Sequence, residues 1–172
     1  RHNITTDSCR TLVQASITSR LDYPNVLLHG LPMSLLNRLQ RVQNCAARLV
    51  TRSRKREHIT PVLIQLHWLP VEYRLQYKVL LYAFKAVRGT APQYICELIV
   101  KQQPRRSLRS ASRSLLTVPK TRTSTYGDRS FCKAAATLWN VLPENIKDTN
   151  SEHHFKKLLK THLFKQAFSD SL

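Results

Sequence analysis

Glycine, acidic residues and long apolar runs are all scarce in this chain of 172 residues. Only three glycines occur, which disfavours folds built from many tight strand turns. No run of about 18 apolar residues exists, so the sequence predicts no membrane span. The chain begins "RHNITTDSCR", without an apolar signal segment and without an initiator methionine. We therefore expect a fragment or a mature piece of a protein, with no signal peptide in this sequence.

Cysteine is present but never in closely spaced pairs. Cys9, Cys45, Cys96 and Cys132 lie far apart in the sequence, whereas zinc ribbons and knuckles space their ligand pairs two to four residues apart. Widely separated cysteines are typical of small buried side chains in a reducing compartment. We expect an intracellular protein of the nucleus and cytoplasm, with no metal and no other cofactor.

Acidic residues are too few to balance the basic ones. The chain has 28 Lys and Arg against 10 Asp and Glu, which gives a formal net charge of +18. Such a chain repels itself unless a polyanion neutralises it. Nucleic acid (RNA, DNA or their hybrid) is the partner that this balance favours, ahead of an anionic membrane surface. The oligomeric state is not indicated by the sequence.

Catalytic motifs are lacking as well. The sequence contains no glycine-rich phosphate loop, no G-x-S-x-G and no H-E-x-x-H. The few acids are scattered, and Asp128, Glu144 and Glu152 lie where helices are predicted to begin. His67 next to Trp68 could act as a base, but a corner between two helices explains the pair better. We predict no catalytic residue in this chain.

Apolar residues recur with helical spacing along nearly the whole chain, which predicts an all-α fold. We expect six or seven helices in a bundle-like arrangement, with a basic extended arm and at most one short β-hairpin. The predicted helices cover residues 8–21, 32–52, 60–67, 70–88, 90–100 and 128–142, and a last helix begins after Ser151. The predicted domains are a helical lobe over 1–100, a Ser/Thr/Arg-rich arm over 101–127 and a C-terminal helical lobe over 128–172.

The stretch "LIQLHWLPV" marks a predicted corner between two helices. Thr60-Pro61 is the expected start of the first helix, and Pro70 begins the second, which ends at Gly89. The second helix is apolar on two sides, so we place it at the centre of the fold. The predicted structural anchors are Trp68, Pro70 and Trp139.

Basic residues form a stripe about 80° wide on each of the two longest predicted helices. On helix 32–52 the stripe lies beside an apolar face that is predicted to be core: Leu35, Leu39, Val42, Ala46, Leu49 and Val50. We predict that four regions contact a phosphate backbone: the two stripes, the connection that follows helix 32–52, and the basic arm. These residues are Arg38, Arg41, Arg48, Arg52, Arg54, Lys55, Arg56, Arg74, Lys78, Lys85, Arg88, Arg105, Arg106, Arg109 and Arg113.

Four blocks of the sequence resemble one known family. They are "SRLDYPNVLLHGLPMSLLNRLQRVQNCAARLVT", "HITPVLIQLHWLPVEYRLQYKVLLYAFKAVRGTAPQYICELI", "TVPKTRTSTYGDRSFCKAAATLWNVLPENIK" and "FKKLLKTHLFKQAF". Together they are similar to the C-terminal end of the polyprotein of non-LTR retrotransposons (LINE elements) of the Jockey-like superfamily. The resemblance extends over roughly residues 9–168.

The resemblance implies a thumb-like first lobe followed by a C-terminal extension of a reverse transcriptase. Such a thumb would grip template RNA and cDNA during target-primed reverse transcription, next to an upstream palm and fingers. The full-length family protein would be an RNA-directed DNA polymerase, but its catalytic aspartates lie upstream of this chain. Two alternatives stay open: a scaffold that docks the palm or an acidic partner, and a product of a decayed element without function.

Overall fold

A computed structural model describes residues 4–102, 114–123 and 126–169, and it confirms the predicted all-α, bundle-like fold. Six helices in the described residues are eight or more residues long, in agreement with the predicted six or seven. The helices are α1 (Thr6–Val13), α2 (Ser19–Asp22), α3 (Asn25–Leu28), α4 (Met33–Thr51), α5 (Ile59–Leu66), α6 (Val71–Val87), α7 (Gln93–Cys96), α8 (Phe131–Val141), α9 (Glu144–Lys147) and α10 (Glu152–Ala167).

Several predicted boundaries are wrong by a few residues. A π-helical segment, Gln14–Thr18, separates α1 from α2 where one continuous helix is predicted. The helix α5 begins at Ile59 after His58, so Thr60-Pro61 is not its start. The helix predicted from Asp128 begins at Phe131. Only one helical turn, α7, forms within the predicted helix 90–100.

The chain divides into two compact units. Unit 1 comprises Arg1–Leu75 and Leu163–Leu172, and unit 2 comprises Gln76–His162. The division falls inside α6 and α10, whereas the predicted lobes meet around the arm. The predicted domains therefore do not coincide with these compact units, and their functional meaning stays a prediction.

The main core of unit 1 forms where α1, α4, α5 and the end of α10 pack together. Ala47 is completely buried and Ala46 nearly so, because small side chains allow the helices to approach closely. The larger members fill the space around this alanine pair. The buried residues of the cluster are Val13, Ala46, Ala47, Val50, Val62, Leu63, Leu66 and Phe168.

The buried face of α4 differs from the predicted one. Leu35, Val42 and Leu49 were predicted to be core, but they are 40%, 46% and 37% exposed. The helix is rotated by roughly 60° from the predicted orientation, at ~100° per residue. The side chains that it buries are Leu36, Gln43, Ala46, Ala47 and Val50. The prediction is thus correct for Ala46 and Val50 and wrong for the three exposed residues.

The core of unit 2 is built around stacked aromatic rings. The ring centroids of Phe84 and Phe155 are 4.1 Å apart, and those of Trp139 and Phe155 are 6.2 Å apart. All three side chains are at most 2% exposed. The rings thereby join α6, α8 and the first part of α10, and stacked pairs add to the free energy gained from burial.

Residues 114–117 are held from two sides in unit 2. An antiparallel bridge pairs Leu116 with Lys101, and Gln102 N donates to Leu115 O at 2.9 Å. On the other side, Asn140 of α8 accepts from Leu116 N at 2.8 Å and donates to Leu116 O at 2.9 Å. Trp139 Nε1 also donates to Ser114 O at 2.7 Å. This pairing is the only β structure in the described residues. The sequence analysis predicted at most one short β-hairpin.

Candidate nucleic-acid interface

The basic stripe of α4 lies on the side of the helix that faces away from the core of unit 1. Arg38 and Arg41 are exposed, roughly opposite the buried Ala46 and Ala47. Arg52 follows the helix in a left-handed conformation, with a φ of 58°. This turn leads into the connection Arg54, Lys55 and Arg56, whose side chains are all exposed.

Two arginines of this region also hold the local structure. Arg48 is half-buried, and its Nη2 donates to the carbonyl of Glu57 at 2.8 Å. Its Nε is buried without a partner in the described residues. Arg52 Nη2 donates to Ile4 O at 3.2 Å. Arg48 therefore fixes the connection against α4, and it is less able to contact a ligand than its exposed neighbours.

The exposed cations around α4 have no acidic partners among the residues that the structure describes. Five ion pairs occur in the part of the chain that the structure describes, and none of them includes a residue of this group. Glu57 is the only acid between residues 33 and 58. We define the α4 basic patch as Arg38, Arg41, Arg52, Arg54, Lys55 and Arg56. Its charge remains available to a polyanion.

The first cation of the α6 stripe is engaged inside unit 1. Arg74 donates from Nε to Asp22 Oδ1 at 2.9 Å and from Nη2 to Asp22 Oδ2 at 2.5 Å. The Arg74 side chain is 17% exposed and that of Asp22 is 38% exposed. A bidentate, partly buried pair of this kind joins two helices. Arg74 was predicted to contact nucleic acid, and the structure instead gives it a structural partner.

The other cations of the α6 stripe have partners within unit 2. Lys85 Nζ lies 3.1 Å from Glu152 Oε1, and Lys78 Nζ lies 5.6 Å from the Tyr82 ring centroid. Arg88 donates to Thr149 O at 2.7 Å. Hydrogen bonds from Lys156, and secondarily from Lys85, lower the pKa of Glu152 below its usual range. Two of the four cations of the α6 stripe, Arg74 and Lys85, therefore have acidic partners, and the other two contact neutral groups.

The four predicted contact residues of the basic arm lie outside the described residues: Arg105, Arg106, Arg109 and Arg113.

The corner between α5 and α6 is bonded to α4, and its geometry explains the "LHWLPV" stretch. His67 has a φ of 55°, and Trp68 N donates to Leu63 O at 2.9 Å while His67 N donates to Ile64 O at 3.0 Å. These two bonds form a Schellman motif, which satisfies the last carbonyls of α5. The His67 ring stacks on the Phe164 ring, and the two ring centroids are 5.9 Å apart. The structure thus gives His67 a helix-ending position.

Two glutamines of α4 attach this corner to the helix, and sequence reasoning missed them. Gln43 is 2% exposed and donates to Leu69 O at 2.8 Å. Gln40 Oε1 accepts from Val71 N at 2.8 Å and so caps the first turn of α6. A glutamine within an otherwise apolar stripe was the available signal, since buried amides need fixed partners. Pro70 adjoins this cap, and because proline has no N–H it adds no donor of its own.

The predicted anchors lie in different units. Trp68 is partly buried and packs against the main core of unit 1. Trp139 is 1% exposed in unit 2 and packs against Phe155. Each indole contacts the core of its own unit.

The described residues contain no group of three or more His, Cys, Asp or Glu that could hold a metal ion. No family model, curated protein or solved structure matches this chain. Among the described helices, none combines the length and apolarity needed to cross a bilayer. The arrangement of exposed guanidinium and ammonium groups around α4 is suited to binding anions.

Proposed function

We propose that this chain is a non-catalytic nucleic-acid-binding segment that contacts the phosphate backbone through the α4 basic patch. By its sequence resemblance, it would act at the C-terminal end of a LINE-type reverse transcriptase. There it would grip template RNA and cDNA during target-primed reverse transcription. The upstream palm and fingers would be its neighbours.

One observation carries the proposal: the α4 basic patch has six exposed cations and no ion pair within the described residues. A helix rises about 1.5 Å per residue, so Arg38 and Arg52 are roughly 20 Å apart along α4. One strand of a duplex carries a phosphate about every 3.4 Å along its axis. The patch is therefore long enough to reach several phosphates at once.

The proposal is tested by fluorescence anisotropy with single-stranded RNA, duplex DNA and an RNA–DNA hybrid over a salt series. Four or more phosphate contacts predict a slope of log affinity against log salt of about −3 or steeper. The comparison of the three ligands identifies the preferred nucleic acid. A folded sample that binds none of them at low salt would overturn the proposal for this chain.

A second function is favoured by the apolar side chains beside the patch. Leu35, Val42 and Leu49 are exposed on α4 at seven-residue spacing, the repeat of a helix–helix seam. Leu49 also lines an apolar cavity of about 280 Å³ together with the exposed Ile4 and Leu12. This surface supports the alternative of a scaffold that docks the polymerase palm.

The scaffold alternative makes a different prediction about salt. The chain can be titrated against the upstream polymerase segment. If Leu35, Val42 and Leu49 supply the contact, the measured affinity should change little with salt. A Val42→Glu variant should abolish that association and leave nucleic-acid affinity nearly unchanged. If the Val42→Glu variant instead loses nucleic-acid binding and still associates with the polymerase segment, that result would count against the scaffold.

A further inference from the structure

A row of exposed apolar side chains runs along α4 beside the α4 basic patch. We define the α4 apolar ridge as Leu35, Val42 and Leu49, all of which are exposed. We propose that this ridge and the arginines next to it dock an acidic amphipathic helix of a partner protein. The partner is defined by the chemistry of the surface, and its binding would regulate the α4 basic patch.

The ridge has the geometry of one half of a helix–helix contact. At about 100° per residue, positions seven residues apart differ by only ~20° around the helix, so the three side chains lie within an arc of ~40°. A rise of about 1.5 Å per residue spreads them over roughly 21 Å, the length of a partner helix of about four turns. Two helices that pack along each other use this seven-residue apolar repeat.

Arginines border the ridge on one side. Arg38 lies ~40° and Arg41 ~100° from Val42 around the helix, in the direction away from the core of unit 1. Both arginines are exposed and belong to none of the five ion pairs in the described residues. In the other direction lie Leu39, which is partly buried, and Ala46, which is buried. A helix docked on the ridge therefore meets guanidinium groups along one of its edges.

Charge complementarity identifies the occupant. A second copy of this chain would bring a net charge of +18 and the same two arginines to the contact, and like charges oppose association. A phosphate backbone matches the arginines but has no apolar group to cover the ridge. A helix whose apolar stripe is bordered by Glu or Asp matches both, because its carboxylates can form bidentate pairs with guanidinium groups.

Helix docking and nucleic-acid binding should exclude each other. Arg38 and Arg41 belong to the α4 basic patch, and a carboxylate paired with either arginine occupies the donors that a phosphate would use. An acidic partner helix would thus release nucleic acid from α4. This regulatory consequence rests on the proposed function, whereas the docking itself does not.

The test is calorimetric titration of the full chain with a synthetic peptide of three heptads. The peptide has Leu at its two seam positions, Glu at the flanking positions and Ala elsewhere, so it favours a helix while its glutamates oppose self-pairing. We expect saturable binding. A peptide with Lys in place of Glu, and a shuffled peptide of the same composition, should bind about tenfold more weakly or not at all. If the Glu peptide does not saturate, or either control binds equally well, the proposal is overturned.

A variant and a matched control locate the contact. Val42→Asn removes an apolar group without changing the charge, and it should weaken binding of the Glu peptide about tenfold. Val141→Asn makes the same change at an exposed position of α8 and should stay within about twofold. Equal weakening by both variants would overturn the ridge as the contact. Dimerisation of the chain that Val42→Asn abolishes would assign the ridge to a second copy and also overturn the proposal.

Competition measures the regulatory consequence. The Glu peptide should displace labelled nucleic acid from the chain in an anisotropy titration, and the Val42→Asn variant should need about tenfold more peptide. Peptide binding without displacement would overturn the mutual exclusion. If the chain binds the peptide but no nucleic acid, the proposed function fails and the docking surface stands. If it binds nucleic acid but not the peptide, only the docking surface is overturned.

Discussion

The helices α4 and α6 carry basic stripes of the same width, but the structure surrounds them differently. On α6, Arg74 pairs with Asp22 and Lys85 pairs with Glu152. On α4, Arg38 and Arg41 remain exposed and belong to none of the five ion pairs in the described residues. A basic stripe in a sequence therefore indicates a polyanion site only when no distant acid reaches it.

The largest expected effect comes from charge reversal on α4. An Arg38→Glu/Arg41→Glu variant loses two phosphate contacts and adds two repulsive charges. Affinity for the preferred nucleic acid should fall by about fiftyfold or more at roughly 0.1 M salt, and the magnitude of the salt slope should decrease by about 2. Anisotropy titrations measure both quantities.

The matched control is Lys157→Glu/Lys160→Glu on α10, which changes the net charge by the same amount at exposed positions. It should reduce affinity by only a few-fold, through long-range electrostatics. If the control weakens binding as much as the α4 variant, the patch has no special role.

The next largest effect concerns the ion pair between Arg74 of α6 and Asp22. Arg74→Met removes both hydrogen bonds to Asp22, and the free energy of unfolding should fall by about 1–3 kcal/mol. Urea denaturation measures this change, and Arg41→Met serves as the control with an expected change within about 0.5 kcal/mol. A double-mutant cycle with Asp22→Asn should show coupling between the two sites. Additive effects would contradict a structural role for the pair.

A pH dependence follows from Glu152. Its pKa is lowered below the ordinary 4.5 by hydrogen bonds from Lys156 and Lys85. The ionised form is favoured in the folded state, so this stabilisation is present above pH 4.5 and is lost as the pH falls through the lowered value. Glu152→Gln should therefore be less stable at pH 7 and show a flatter decline in acid.

Urea denaturation at a series of pH values between 7 and 3 provides the measurement. Glu57→Gln is the control, because Glu57 is exposed and forms no ion pair in the described residues. Identical acid profiles for Glu152→Gln and the unchanged protein would rule out this contribution.

The smallest expected effect is that of Lys78→Ala. The lost cation–π contact with Tyr82 should cost roughly 0.5 kcal/mol of stability. Nucleic-acid affinity should change by less than about twofold, because the α6 stripe is directed to intramolecular partners. If the affinity of Lys78→Ala for nucleic acid falls about fivefold or more, α6 also contacts nucleic acid and does not differ from α4 in this respect.

Local spacing was sufficient to predict the six longer helices, but it did not determine which side of α4 is buried. Leu35, Val42 and Leu49 are larger or more apolar than Gln43 and Ala47, which are buried in their place, so hydrophobicity alone favoured the wrong orientation. Tertiary packing selects the alanines because their flat surface admits the neighbouring helices α1 and α5. The predicted helix end at Gly89 is confirmed, and a φ of 69° gives this glycine the left-handed conformation typical of such an end.

The partners of charged residues were beyond prediction because they are remote in the sequence. Asp22 lies 52 residues before Arg74, and no helical repeat connects them. The left-handed His67 was also missed, since glycine is the usual residue at that position of a helix end. Of the candidate interface, the sequence therefore predicted the cations but not which of them are neutralised.

The Asn140 amide has a consequence for the behaviour of the chain in concentrated solution. A short β segment normally exposes free N–H and C=O groups along its outer edge, and such an edge recruits strands from other molecules. At Leu116 both groups are already bonded to Asn140, so the two-stranded pairing cannot be extended at that point. One side chain on a helix thereby protects a highly basic, otherwise helical protein against edge-to-edge aggregation at this segment.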